Sequence, residues 1–231
     1  MTGSERDYER ELYPFLFEAP RPGPVAVERV LDEVRRSTLQ KCEEVVALRR
    51  ELEGEYREAL VEAALAMAEA FSRGGKLLAF GNGGSATDAQ DAAADCLVPP
   101  VPGWRALPAL SLTSDAAVLT AVANDVGFEN VFLRQLVAFG EPGDVALGFS
   151  TSGNSPNVVA ALGEARRRGL LTIALAGYDG GAMVRAGCGD YCFVARREYV
   201  PRIQEGQATL WHTLLDLVQM CLTEELEEAG G

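Results

Sequence analysis

Three carboxylates, Asp88, Asp91 and Asp95, stand at i, i+3 and i+7 just beyond the glycine-serine turn of the stretch LLAFGNGGSATDAQDAAADC, residues 77–96. On a helix this spacing brings all three to one face. The turn itself, GNGGS at 81–85, ends an apolar run and opens the helical pattern. A second loop of the same kind, STSGNS at 150–155, follows the apolar DVALGF and precedes PNVVAALGEARRR. Small residues let a backbone approach an anion closely, and the first N–H groups of the following helix donate to it. The hydroxyls of Ser150, Thr151, Ser152 and Ser155 could surround one phosphate with neutral donors. Either loop alone reads as a strand-to-helix turn with an N-cap serine; two in one sheet point to anion binding. Neither contains GxGxxG or GK[ST], so a single phosphomonoester is expected rather than a dinucleotide or a nucleoside triphosphate.

The elements that must position these loops can be read from hydrophobic periodicity. Short apolar runs at 76–81, 107–112, 144–150, 170–177 and 191–195 alternate with helical patterns at 84–96, 115–138, 155–168 and 202–226. Continuous apolar runs separated by helices predict parallel strands buried on both faces. The expected fold is α/β, a doubly wound parallel sheet flanked by helices, whose ligands lie outside the carboxyl ends of the strands. Both loops fall there. Residues 1–24 read as an extended lead-in closing with EAPRPGPV. Residues 25–73 form an N-terminal helical extension with Val27, Val30, Leu31, Val34, Cys42 and Val46 at helical spacing. Gly54 either divides it into two helices or is tolerated in one at ~1 kcal/mol. This extension is an expected oligomer interface, and residues 74–231 are the expected ligand-binding α/β domain.

Composition narrows the function classes. The chain carries 34 acidic against 21 basic side chains, a net charge of −13. Nonspecific nucleic-acid or anionic-membrane binding needs a basic face, so neither partner is expected. The five cysteines are scattered, and the CxxxC of Cys188 and Cys192 has no second pair or histidine nearby, so reduced thiols are expected rather than a zinc finger. No apolar run reaches the ~20 residues of a membrane helix, and the N-terminus lacks a basic region leading into an apolar core. A soluble, cytoplasmic protein is expected.

The pairing of GNGGS with GDVALGFSTSGNSPNVVAAL resembles the sugar isomerase (SIS) domain, a flavodoxin-like three-layer fold that binds phosphosugars. VANDVGFENVF and RIQEGQATLWH are similar to the phosphoheptose isomerase branch, over residues 49–226. The resemblance implies conversion of sedoheptulose 7-phosphate to D-glycero-D-manno-heptose 7-phosphate by a homotetramer with active sites between subunits. It implies that Asn82, Gly83, Gly84 and Ser85 line the sugar site, that Asn124 and Asp125 contact substrate, and that Ser150, Thr151, Ser152 and Ser155 hold the phosphate. It also implies a divalent metal, zinc first, held by Asp91, Asp95, Gln204 and His212.

Two of those positions depart from the family, which has His where Asp91 stands and Glu where Asp95 stands. Asp91 and Asp95 are i, i+4 and share a helix face; Gln204 and His212, about two turns apart, also share one. The more oxygen-rich set suits manganese or magnesium as well as zinc. A third departure is Pro201, where the family commonly has a polar residue. Interconverting a ketose and an aldose needs an acid and a base, and the expected pair is Asp95 and His212, the only histidine in the chain. The competing expectation is a non-catalytic SIS protein, either a sugar-phosphate binder or a replication-initiator-associating regulator; such proteins lose the histidine that this chain keeps.

Overall fold

The computed structural model describes residues 27–229, with side chains for 27–223; the expected lead-in at 1–24 lies outside the described residues. The described residues up to Glu43 form one unit and those from Glu44 onward another. In the first, Glu33 and Arg36 pair at 2.5 Å, and Val27, Val30, Leu31 and Val34 make an exposed apolar stripe.

The chain runs α1 (Val27–Ser72), β1 (Leu77–Phe80), α2 (Gly84–Leu97), β2 (Ala109–Ser111), α3 (Ala116–Val126), α4 (Val131–Phe139), β3 (Val145–Ser150), α5 (Pro156–Arg167), β4 (Leu171–Gly177), α6 (Gly181–Arg185), β5 (Tyr191–Ala195) and α7 (Val200–Ala229). The five expected apolar runs are the five strands, all parallel, in the order β2-β1-β3-β4-β5. Every residue of β1 and of β3 is buried, because helices cover both faces of the sheet. Alternate residues serve opposite cores. Leu77, Ala79, Leu147 and Phe149 pack with α2, α7 and the part of α1 from Leu48 onward, whereas Leu78, Phe80 and Ala146 pack with α4 and α5. Each fully buried Leu or Phe contributes about 1.5–3 kcal/mol relative to exposure.

The central strand pair is pinned at the end away from the loops. The buried Asp144 carboxylate accepts from the Lys76 N–H at 2.9 Å, from Lys76 Nζ at 2.5 Å and from the Glu141 N–H at 2.9 Å. This clasp sets β1 beside β3 in the register Leu77↔Val145 to Phe80↔Gly148.

Two elements differ from expectation, and of the two readings of Gly54 the undivided helix holds. Gly54 lies inside α1, with open space where a Cβ would point, so the chain tolerates it without a break. The single helix expected at 115–138 is two, because Gly127 takes φ +99°, outside helical space, and a 3-10 turn (Phe128–Asn130) follows it. The short α6 escapes notice because two left-handed glycines, Gly180 and Gly181, open it and five residues carry no periodic signal.

The CxxxC thiols do not form a reactive pair. Burial, helped by Cys188, pushes the Cys192 thiol up to about 11, and burial also raises Cys188. At pH 8 only about 0.1% of a thiol titrating near 11 is thiolate, the form that alkylates. Iodoacetamide at pH 8 is therefore expected to leave Cys192 unlabelled in folded protein and to label it in urea, as read by peptide mass spectrometry.

Candidate active site

In the strand order β2-β1-β3-β4-β5 the chain reverses direction at β1 and β3. The helices after these strands lie on opposite faces: α2 packs through Ala89, Ala92 and Cys96 on one, α5 through Val158, Ala161 and Leu162 on the other. The loops after β1 and β3 therefore part, opening a crevice at the carboxyl ends of the strands, where ligands of such sheets bind.

Two amides bridge the crevice floor. Asn82 Nδ2 donates to Asn157 Oδ1 at 2.9 Å, and Asn157 Nδ2 donates to Asn82 Oδ1 at 2.8 Å. Asn157 is buried, and its Oδ1 also accepts from the Val158 N–H at 3.0 Å. In the second loop Ser150 Oγ and Ser155 Oγ lie 2.9 Å apart. Ser155 caps α5 without accepting from a first-turn N–H, and Pro156 occupies the first turn, where its missing donor costs nothing. Gly153 sits at φ +63°, and a Cβ there would stand 2.2 Å from the Gly180 carbonyl oxygen. Only glycine lets this loop lie against the chain before α6. Asn154 completes the seating, its Oδ1 accepting from the Ala182 N–H at 2.9 Å and from Arg185 at 3.0 Å.

The first loop opens onto the acidic face of α2. Gly83, at φ 58°, precedes the helix with no side-chain cap. A Cβ on Gly84 would stand 2.1 Å from Gln204 Nε2, so the absent side chain is what lets Gln204 of α7 lie across the loop. Gln204 Nε2 reaches Asp88 Oδ2 at 3.5 Å. Burial, and then the charge of Asp91, push the Asp88 carboxyl above its ordinary range, against the pull of Gln204. One turn further, single ligand atoms of Asp91, Asp95 and His212 all lie within 4.8 Å of one another. His212 Nε2 is 3.5 Å from Asp95 Oδ2, and the Trp211 indole N–H donates to the same oxygen at 3.2 Å. The imidazole side chain is 54% exposed and the carboxylate only 18%.

This set fits a divalent ion. Ligands about 2.1 Å from a tetrahedral ion stand roughly 3.4 Å apart, close to the 3.5 Å between His212 and Asp95, and the 4.8 Å limit requires only a small closing movement. Two carboxylates and an imidazole supply three of the four ligands of a tetrahedral ion.

The residues expected from the sequence thus divide. Asn82, Gly83, Gly84 and Ser85 form the first loop, Ser150, Thr151, Ser152 and Ser155 the second, and Asp91, Asp95 and His212 come together, with Gln204 one turn away beside Asp88. Asn124 and Asp125 stand apart: they pair with each other at 2.8 Å on the exposed side of α3 and bond to neither loop among the described residues. Sequence reasoning missed Asn157 and Trp211. Asn157 follows a proline in an amphipathic helix and reads as an ordinary first-turn residue, and a tryptophan on an apolar helix reads as core. The only available signal was their position, two residues beyond a hydroxyl loop and next to the lone histidine.

A family model described as the SIS domain matches residues 42–177. The phosphoheptose isomerase of Pelobacter propionicus is 49% identical over 163 residues, 71% of this chain and 85% of that protein. That of Nitratidesulfovibrio vulgaris is 42% identical over 195 residues, 84% and 93% of the two chains. The structure of the phosphoheptose isomerase from Neisseria gonorrhoeae superposes with a TM-score of 0.73 at 37% identity, covering 80% of this chain and 98% of that one.

The amide bridge yields a direct test. Asn157→Ala removes both crevice hydrogen bonds and leaves the Asn82 amide without its partner, which is expected to lower the unfolding free energy by about 1–3 kcal/mol. Urea denaturation measures the change.

Proposed function

This chain belongs to the SIS-domain family, and from that membership we infer that it is a phosphoheptose isomerase, an aldose–ketose isomerase converting sedoheptulose 7-phosphate to D-glycero-D-manno-heptose 7-phosphate through an enediol. The observation that carries the residue assignment is the approach of His212 to Asp95, 3.5 Å apart at the edge of the crevice.

The substrate phosphate sits among the hydroxyls of Ser150, Thr151, Ser152 and Ser155 at the N-terminal end of α5, where the helix dipole favours an anion. Asn82, Gly83, Gly84 and Ser85 line the sugar, with Gln204 over the loop and Asn124 and Asp125 at the rim. Isomerisation moves a proton from C1 to C2 and exchanges a second proton between the two oxygens. Asp95 and His212 perform these transfers, one on carbon and the other on oxygen. An imidazole can serve as acid or as base. The partly buried carboxylate is held in place, while the exposed imidazole can follow the reacting atoms.

Asp91, Asp95, Gln204 and His212 hold a divalent ion, zinc first. When bound, such an ion polarises the substrate carbonyl and stabilises negative charge on the enediolate oxygen. Loss of the histidine would mark the non-catalytic alternative, and His212 is present and 3.5 Å from Asp95, which favours the enzyme.

Residues 25–73 serve as an oligomer interface and 74–231 as the phosphosugar domain of a homotetramer with active sites between subunits. The apolar α3, none of whose residues is buried, and the neighbouring Phe128, 59% exposed, support this assembly. Among the described residues no helix is long and apolar enough to cross a membrane, and a cytoplasmic location agrees with a phosphorylated substrate.

Purified protein incubated with sedoheptulose 7-phosphate is expected to form the aldose 7-phosphate, followed by NMR. His212→Ala should lower the rate by at least about 100-fold, the contribution of a general acid or base, with the circular dichroism spectrum unchanged. Wild-type turnover in that variant would remove His212 from the mechanism.

A further inference from the structure

The indole of Trp211 is bound to the carboxylate assigned to proton transfer. Trp211 is 2% exposed and packs in the core between α7 and the sheet, yet its Nε1–H reaches out to Asp95 Oδ2 at 3.2 Å. An indole nitrogen is a donor and never an acceptor, and a buried N–H left unpaired is costly. The bond therefore has one possible direction and a strong reason to persist. The ring itself cannot shift, because close packing surrounds it.

Trp211 and His212 are consecutive on α7, so their side chains leave the helix about 100° apart. One points into the core and the other toward solvent, and the Asp95 carboxylate lies between them, with Oδ2 3.2 Å from the indole and 3.5 Å from His212 Nε2. The carboxylate is thus tied to a buried donor on one side and faces an exposed imidazole on the other. Aspartate also has one methylene fewer than the glutamate that the family resemblance implies at this position. A shorter side chain has fewer rotamers with which to correct its position, and a misplacement of ~1 Å costs about 100-fold in rate.

We propose that Trp211 is a positioning residue for the isomerisation: its indole N–H fixes the Asp95 carboxylate in the one orientation that serves the substrate carbons and His212. The proposal rests on the assignment of Asp95 to proton transfer. Trp211 touches no reacting atom and acts only through Asp95.

The test uses full-length Trp211→Phe, which keeps an aromatic ring in the core and removes the donor. With sedoheptulose 7-phosphate, kcat is expected to fall at least tenfold while KM stays within about twofold, because the phosphate and sugar contacts are untouched. An unchanged kcat, or a loss carried by KM, overturns the proposal. A second measurement does not depend on how well that variant folds. The chain has two tryptophans, Trp104 and Trp211, so the indole 1H–15N resonance that remains in Trp104→Phe belongs to Trp211. Introducing Asp95→Asn is expected to shift that resonance upfield, since a neutral amide oxygen replaces a carboxylate acceptor; an unmoved resonance overturns the proposal. If the wild-type protein forms no aldose product, the proposed function fails instead, and the resonance still reports whether the indole holds Asp95.

Discussion

The reciprocal amide bridge between Asn82 and Asn157 is the constraint on which the site depends. β1 and β3 lie side by side, but the helices that follow them cover opposite faces of the sheet, so the two ligand loops have no backbone reason to keep a fixed separation. Two hydrogen bonds of 2.8–2.9 Å between side chains supply one. Asn157 is buried on the first turn of α5, and Asn82 lies within GNGGS, so the bridge couples the loop after β1 to the start of the helix that follows the loop after β3. At the other end of the same strands the Lys76–Asp144 clasp fixes their register. The crevice is thus held from both ends, and its width is a property of folded side chains rather than of the strands alone.

A second constraint comes from glycine. Gly84 leaves room for Gln204, and Gly153 allows the loop after β3 to rest against Gly180. Both positions trade backbone entropy for close approach, a use of glycine expected where chain must meet ligand or chain. With Gln204 across the first loop, α7 is drawn onto α2, and this juxtaposition brings His212 to the acidic face. The acidic face and the histidine therefore meet between two helices that are distant in sequence, each anchored in the same core of the sheet: α2 through Ala89, Ala92 and Cys96, α7 through Leu210, Trp211 and Leu214.

Much of this was legible in the residues themselves. The five strands announce themselves as apolar runs because both of their faces are covered, and the two loops announce themselves by composition. The i, i+4 spacing of Asp91 and Asp95 already places them on one face. What was not legible depends on tertiary approach. The pairing of Asn82 with Asn157 spans 75 residues and leaves no local pattern, and the Trp211–Asp95 bond spans 116. Periodicity sorts a tryptophan into the core without revealing that its single polar atom faces outward. The division of the expected 115–138 helix turned on one residue, Gly127, whose left-handed backbone is permitted by its type but not required by it.

The central claim is that Asp95 and His212 move a proton between C1 and C2 of a bound ketose phosphate. The most direct measurement is turnover of sedoheptulose 7-phosphate in deuterated water, with the aldose product examined by NMR. A proton taken from C1 onto either group exchanges with solvent before a proton is delivered to C2, so deuterium is predicted at C2 of the product. Deuterium incorporation at the wild-type rate by both Asp95→Asn and His212→Ala would mean that neither group moves the proton, and the acid–base assignment would be wrong.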